Sequence, residues 1–409
     1  MARGRAFNLS SVLKRIDLDE TGGAHVDLEA EPWFPKVAAS SVTDGDEELA
    51  GFESKTLHVR WDSIPMLLPS SDLMSSEWWN HENTWGEFPS LVPMEVLPSP
   101  IGWKVLFAEH EALVLPMDED GHGRRLSELN HAGLHTAIGG LQHEGRDVIL
   151  IFNRLDADEI PMDEKHLRMA GEALGRFHSQ CGKALSTPND ERAWNKRLDI
   201  LEPRTRSATK WRAPHSADTQ GTITHRNFGL DNCRLKDGKL IITGCAGGIY
   251  NALVPLETPS PAIRDVAAAI IELSSDDRQS FCEGWASTAP AHWSSSKALD
   301  SHKGGLLIWE YEQMLEHRLF HQAWGREEPA HITAHLASIS SLQSGMYQAR
   351  TLAAAGLILL VIPPCAAFYW LFYPGAVTPS WNDVGGVAAL AAIGIALRRM
   401  YRAAAPKPW

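Results

Sequence analysis

The stretch Thr224–Gly248, T-H-R-N-F-G-L-D-N-C-R-L-K-D-G-K-L-I-I-T-G-C-A-G-G, decides how this chain folds. At its centre two apolar pieces, Cys233–Leu235 and Lys239–Ile242, flank Lys236-Asp237-Gly238. Asp-Gly between apolar runs predicts a tight β-hairpin. A polar knot from His225 to Asn232 precedes the hairpin, and a glycine-rich loop follows it. The hairpin therefore sets the separation of two polar loops.

Working outward, Asp147–Phe152 (D-V-I-L-I-F) is an apolar run of strand length. Leu167, Ala170, Leu174, Phe177 and Cys181 recur at spacings of 3, 4, 3 and 4, which predicts an amphipathic helix. Ile263, Val266, Ile270 and Leu273 repeat in the same way, as do Ile308, Tyr311, Leu315 and Leu319. The first ~50 residues are polar and acidic, reading as strands and loops. Pro188 to Ser216 is basic (Lys196, Arg197, Arg204, Arg206, Lys210, Arg212) and reads equally as loop or frayed helix, with a solvated face as its expected role and contact of 196–212 with anionic headgroups as the alternative. Strands followed mainly by helices predict an α+β fold.

The chain has 409 residues, 44% of them hydrophobic and 22% charged, which excludes a disordered, collagenous or disulfide-scaffold protein. Residues 1–349 hold 33 cations and 50 acids, a formal charge of −17. Nucleic acid is therefore not an expected partner, since it demands positive charge. The five cysteines are scattered and never spaced C-x-x-C, as in a reduced cytoplasmic domain without a zinc ribbon. His131 and His135 share a helix-face spacing that suits two metal ligands, but no third ligand is near, so no metal site is expected. His178, on the apolar side of its helix, reads as a core histidine. No apolar run follows the basic Met1–Arg5, so no cleavable signal peptide is expected.

The last 60 residues differ in composition. Leu352–Tyr373 is an uncharged run of 22 residues, enough to cross a bilayer core of about 30 Å. Pro363-Pro364 predicts a kink, and Phe368, Tyr369, Trp370, Phe372 and Tyr373 resemble an interfacial aromatic belt. A second apolar segment runs from about Ser380 to Leu397, rich in small residues that allow close helix approach. Arg350 and the Arg398–Arg402 cluster flank the pair, whereas the connecting turn has no cation. The positive-inside bias then places both termini in the cytoplasm and makes the lipid bilayer a partner.

The loop–hairpin–loop stretch resembles the catalytic and metal loops of the aminoglycoside phosphotransferase/choline kinase family, within the protein-kinase-like fold. There the first loop reads H-x-D-x-x-x-x-N and the second begins I-D. Asp147–Leu155 is similar to that family's hinge strand, Gly171–Ser179 (G-E-A-L-G-R-F-H-S) to its L-G-x-x-H helix, Arg264–Ala267 to its D-[LV]-A helix start, and Phe281–Trp285 to its F-x-x-G-Y segment. The resemblance implies a small lobe within 1–145, a helical large lobe over 146–349 and an added transmembrane hairpin over 350–409, with spans at about 352–373 and 380–397.

It also implies ATP and Mg²⁺ as cofactors, and site residues by position. His225 and Asn232 match the loop's His and Asn, but Asn227 stands where the catalytic Asp belongs and Thr243 where the metal-binding Asp belongs. Phosphoryl transfer needs one carboxylate to orient the attacking hydroxyl and another to hold Mg²⁺. Asp231 is a weak substitute ligand, and a surface turn residue is its plainer reading. Lys55, or Arg60 in its place, is the candidate for the small-lobe cation, with Glu77 as its partner; Gly22-Gly23 makes a poor phosphate-covering loop.

The expectation is a membrane-anchored pseudokinase that binds, regulates or scaffolds, using neither cofactor if the site is fully degenerate. Two alternatives stand beside it: an active, divergent kinase of a small-molecule or lipid-linked hydroxyl, and an accessory subunit packed against a membrane-protein partner.

Overall fold

The computed structural model describes residues 16–18, 24–89, 92–118, 120–207, 209–212, 215, 219–226, 228–244, 252–254, 256, 259–296, 298–299, 305–373 and 379–404. Asn227 and Gly22-Gly23 lie outside the described residues.

Two short strands, β1 (Ile16–Leu18) and β2 (Ala24–Val26), pair near the start. Next comes a three-stranded antiparallel sheet of β3 (Ala39–Asp44), β4 (Phe52–Val59) and β5 (Asp62–Pro69). The small lobe proper is a separate six-stranded antiparallel sheet. It comprises β6 (Thr84–Gly86), β7 (Glu95–Ser99), β8 (Gly102–Leu106), β9 (His110–Val114), β10 (Gly139–His143) and β11 (Arg146–Asn153), in the spatial order β6-β10-β11-β9-β8-β7. A short helix, α1 (His122–Glu128), lies between β9 and β10.

The apolar run of β11 is continuous because both of its faces are covered. Ile149 and Ile151 join Trp33, Trp103 and Val114 in the main core, whereas Leu150 and Phe152 pack with Leu115 and Ala137 on the opposite face. Position 145/146 falls in the β10–β11 turn, and the six-stranded sheet extends to Asn153.

The large lobe is helical. Asp163 caps α2 (Glu164–Ala184) by accepting the His166 amide at 2.9 Å. The predicted stripe of Leu167, Ala170, Leu174, Phe177 and Cys181 is buried. On the neighbouring face α2 meets α5 (Ser275–Thr288) through Gly171 and Gly284: a Cβ on Gly171 would sit 2.0 Å from the Phe281 carbonyl. The basic stretch resolves into helix α3 (Glu191–Arg204) and the loop after it. β12 (Asp158–Glu159) pairs with the expected hairpin, β13 (Cys233–Lys236) with β14 (Lys239–Ile242), in a three-stranded sheet. Asp237 (φ 50°) and Gly238 (φ 71°) both adopt the left-handed turn geometry that such hairpins favour.

α4 (Ile263–Ile270), a single turn α6 (Ala291–Ser294) and α7 (Gly305–Trp324) complete the body. A buried ion cluster ties three helices together: Glu312 accepts from Arg197 Nε (2.7 Å) and Arg264 Nε (2.9 Å), and both arginines also reach Glu316. Such charges tolerate burial only because each is paired.

α8 (Ala330–Phe372) is a single 43-residue helix. Its first half inserts Ile332, Leu336, Ile339 and Met346 into the body's core, so the domain boundary expected at 349/350 is not a break in the chain's structure. The helix also continues unbroken through Pro363-Pro364. α9 (Trp381–Ala403) starts with a capping box, Ser380 and Asp383. The two helices cross at Gly356 and Gly394, where a Cβ on either glycine would lie 3.0 Å from the other's carbonyl. Both carry apolar windows, of mean hydropathy 2.1 and 1.4, long enough to cross a membrane, and Leu357, Ile358, Val361 and Trp381 point outward uncovered.

Candidate functional site

The first polar loop is held from below by one carboxylate. Asp265, near the start of α4, is fully buried and accepts the His225 amide at 2.5 Å, the Arg226 amide at 3.1 Å and His178 Nε2 at 2.9 Å. Trp285 Nε1 donates to His178 Nδ1 at 3.0 Å. Nδ1 is thus the bare acceptor, and the ring proton sits on Nε2, facing Asp265. Burial alone would raise the Asp265 pKa, but the hydrogen bonds from His178 and His225 hold it below the ordinary carboxylate value. His178 is a core histidine, as expected, with both nitrogens satisfied.

From above, His122 of α1 places Nε2 at 3.3 Å from the His225 carbonyl, and burial pushes the His122 pKa well below its usual value. Arg226 adopts the left-handed region (φ 66°), with its guanidinium on Asp120 (3.1 Å) and on the Leu256 carbonyl. The loop is therefore clamped between the two lobes.

At the hairpin base Asn232 and Thr243 lie together. Both the amide and the hydroxyl of Thr243 donate to the Asn232 carbonyl, at 2.7 and 2.9 Å. The Asn232 side chain lies against Gly244, where a Cβ would approach it to 2.7 Å. Asp231 is exposed on the outer turn. Among the described residues no group of three His, Cys, Asp or Glu side chains could hold a metal ion. Magnesium prefers oxygen ligands with carboxylate charge. The neutral hydroxyl of Thr243 and amide of Asn232 supply no such charge, so these residues do not fit a Mg²⁺–nucleotide site.

Neither a protein-family model nor a curated protein matches the sequence. Solved structures do. A glucosamine kinase in complex with glucosamine, ADP and inorganic phosphate superposes with a TM-score of 0.50 at 14% identity, over 76% of this chain and 96% of that one. The fold is protein-kinase-like. A choline/ethanolamine kinase family protein from Mesorhizobium loti (TM-score 0.36, 11% identity, 61% and 87% covered) is also similar. So is a putative aminoglycoside phosphotransferase from Ralstonia eutropha (0.32, 12%, 80% and 95%).

A kinase-like lobe carries its phosphate-contacting lysine on the third strand and pairs it with a glutamate of the helix that follows. Counted across the sheet from β7, the third strand is β9, H-E-A-L-V, which has no lysine. Lys55 lies in the separate β3-β4-β5 sheet, where it pairs with Asp44 at 2.8 Å. The turn between β7 and β8 is only Pro100-Ile101, too short for a glycine-rich cover over phosphates.

α1 is instead anchored by Asp147 of β11, which accepts the Gly123 amide at 2.7 Å and Gln142 Nε2 at 2.8 Å. Burial pushes the Asp147 carboxyl up to about 6. His131 and His135 lie in a loop, with His135 Nε2 on the Asn153 carbonyl, so they form no ligand pair.

One cation of the lobe escaped the sequence reading. Lys104 pairs across the sheet with Leu113, which faces Leu150, so all three share the face on which α1 packs. There Lys104 makes an ion pair with Glu111 at 2.5 Å. The signal was present in G-W-K-V-L, where strand alternation turns Lys104 away from buried Trp103 and Val105.

Proposed function

We propose that this chain is a membrane-anchored pseudokinase, a kinase-like body that binds, regulates or scaffolds at a membrane surface and does not transfer phosphate. The observation that carries the reading is Thr243, which resemblance puts at the place of the metal carboxylate and which offers a neutral hydroxyl where a negative charge is wanted. Asn227 at the base position, the lysine-free third strand and the two-residue turn in place of a phosphate cover support it. Each removes a different part of the phosphoryl-transfer apparatus. The two apolar helices support the membrane anchor.

The test is turnover by the full chain in detergent with Mg²⁺-ATP and a panel of amino sugars, choline and ethanolamine. No phosphorylation above background is expected; robust phosphorylation of any of them overturns the proposal. A second reading, a divergent active kinase, is favoured by Lys104 alone, which offers a cation on the face of the sheet where α1 packs. It predicts that Lys104→Ala abolishes a measurable turnover.

A further inference from the structure

The basic stretch after α3 divides into two classes. Arg197, Arg204 and Arg212 are spent on internal carboxylates: Glu312 and Glu316, Asp62, and Glu202 with Asp199. Arg206 and Lys210 are exposed and make no ion pair among the described residues. The loop carrying them is not loose. Thr209 Oγ1 lies 3.1 Å from Ser340 Oγ, Gln343 Nε2 donates to the Lys210 carbonyl at 2.8 Å, and Tyr311 donates to the Thr209 carbonyl at 2.7 Å. It is thus pinned to α8 on the stretch leading to the apolar segment.

At 1.5 Å rise per residue, Gln343 lies about 10 Å along the helix from Arg350, and the uncharged run begins at Leu352. Arg398 reaches the same end of the hairpin, since its Cγ lies 3.3 Å from where a Gly356 Cβ would be. Arg350, Arg398, Arg399 and Arg402 therefore mark the level where the helices leave the body. The rest of the body, residues 1–349, carries −17. An acidic body facing an anionic leaflet would be repelled, and a Debye length of about 8 Å sets the range. Lys210, held by Gln343 about 10 Å along the helix from Arg350, has a side chain long enough to close the gap, and Arg206 precedes it on the same loop.

We infer that Arg206 and Lys210, together with the helix-end arginines, form a collar that binds the phosphates of anionic phospholipid headgroups and so docks the acidic body on the membrane. This rests on the membrane-anchor reading above. The collar is assembled from distant parts of the sequence, and its loop members are fixed by contacts to α8, not by the hairpin itself.

The test uses the full chain reconstituted with phosphatidylcholine alone and with phosphatidylcholine containing phosphatidylglycerol. Flotation with neutral vesicles reads insertion, and hydrogen exchange of residues 206–212 and 338–346 in nanodiscs reads docking. Anionic lipid is expected to slow exchange of both segments at least threefold at low salt, with the difference lost at high salt. In Arg206→Ser/Lys210→Ser the anionic-lipid protection of 338–346 should disappear while flotation is unchanged. Attraction of about fivefold per surface cation sets the size of this effect. Flotation without any dependence of exchange on anionic lipid overturns the collar alone. Failure to float with neutral vesicles overturns the anchor reading and the collar with it.

Discussion

Asp265 holds the first polar loop by accepting from two backbone amides and one histidine in a fully buried position. Replacing it with alanine leaves three donors without an acceptor where water does not reach. Each buried unsatisfied donor costs about 1–3 kcal/mol, and breaking a buried charged network costs roughly 3–5 kcal/mol in all. For a body of about 350 residues, about 1.4 °C of melting temperature follows each kcal/mol, so Asp265→Ala should melt about 4–7 °C below the parent. Asp265→Asn keeps one acceptor oxygen but turns an NH₂ toward a donor, and should fall between the two.

Intrinsic tryptophan fluorescence during heating of the full chain in detergent reads this directly. The pH dependence follows in sign. Because the Asp265 pKa is lowered on folding, its contribution is present above the unfolded value of about 3.9 and is lost as pH falls through the folded value. The gap between parent and variant should therefore stay level from pH 5 to pH 8. A melting difference below about 2 °C for Asp265→Ala would refute the claim that this carboxylate organises the loop.

Asp147 gives the opposite pH trend: its carboxyl, raised to about 6 by burial, makes folding less favourable as pH climbs from 4 to 6. Asp147→Asn should gain roughly 2–3 kcal/mol relative to the parent between pH 4 and pH 7, seen as a melting difference that grows with pH; a constant difference would contradict it. Asn227→Asp combined with Thr243→Asp should restore no Mg²⁺-ATP turnover, because β9 still lacks a lysine and the β7–β8 turn still cannot cover phosphates; measurable product would count against the account. Cysteines at Leu360 and Gly394 should cross-link under mild oxidation, since a Cβ at 394 lies 2.9 Å from Leu360 Cγ. Absence of that disulfide in reconstituted protein would rule out this helix crossing.

Local chemistry was readable in the sequence wherever it decides local structure. Asp237-Gly238 announced the hairpin, the 3-4-3-4 stripe announced α2, and the uncharged run announced the C-terminal helices, because each signal lies within the element it forms. The small lobe was not readable in that way. Alternation in Phe52–Val59 looks the same in either sheet, so Lys55 could be placed only by pairings between strands far apart in sequence.

Asp265 was visible only as part of a motif. Its partners lie 39, 40 and 87 residues away, a separation that carries no periodic signal. The boundary at 349/350 was a change of composition, and one helix crossed it because nothing there breaks the backbone ladder. Asn227 and Thr243 were singled out by the family resemblance, which implies carboxylates at those two positions. What the structure added is that Thr243 has a different task, holding Asn232 across the hairpin base.

The central claim is that the kinase-like fold has given up its nucleotide chemistry. It is tested most directly by heating the full chain in detergent with ATP or ADP, each with and without Mg²⁺. The account predicts no magnesium-dependent change in melting temperature, in a protein shown by its cooperative transition to be folded. A reproducible magnesium-dependent rise of several degrees would contradict it and show that a working nucleotide site survives without the two carboxylates.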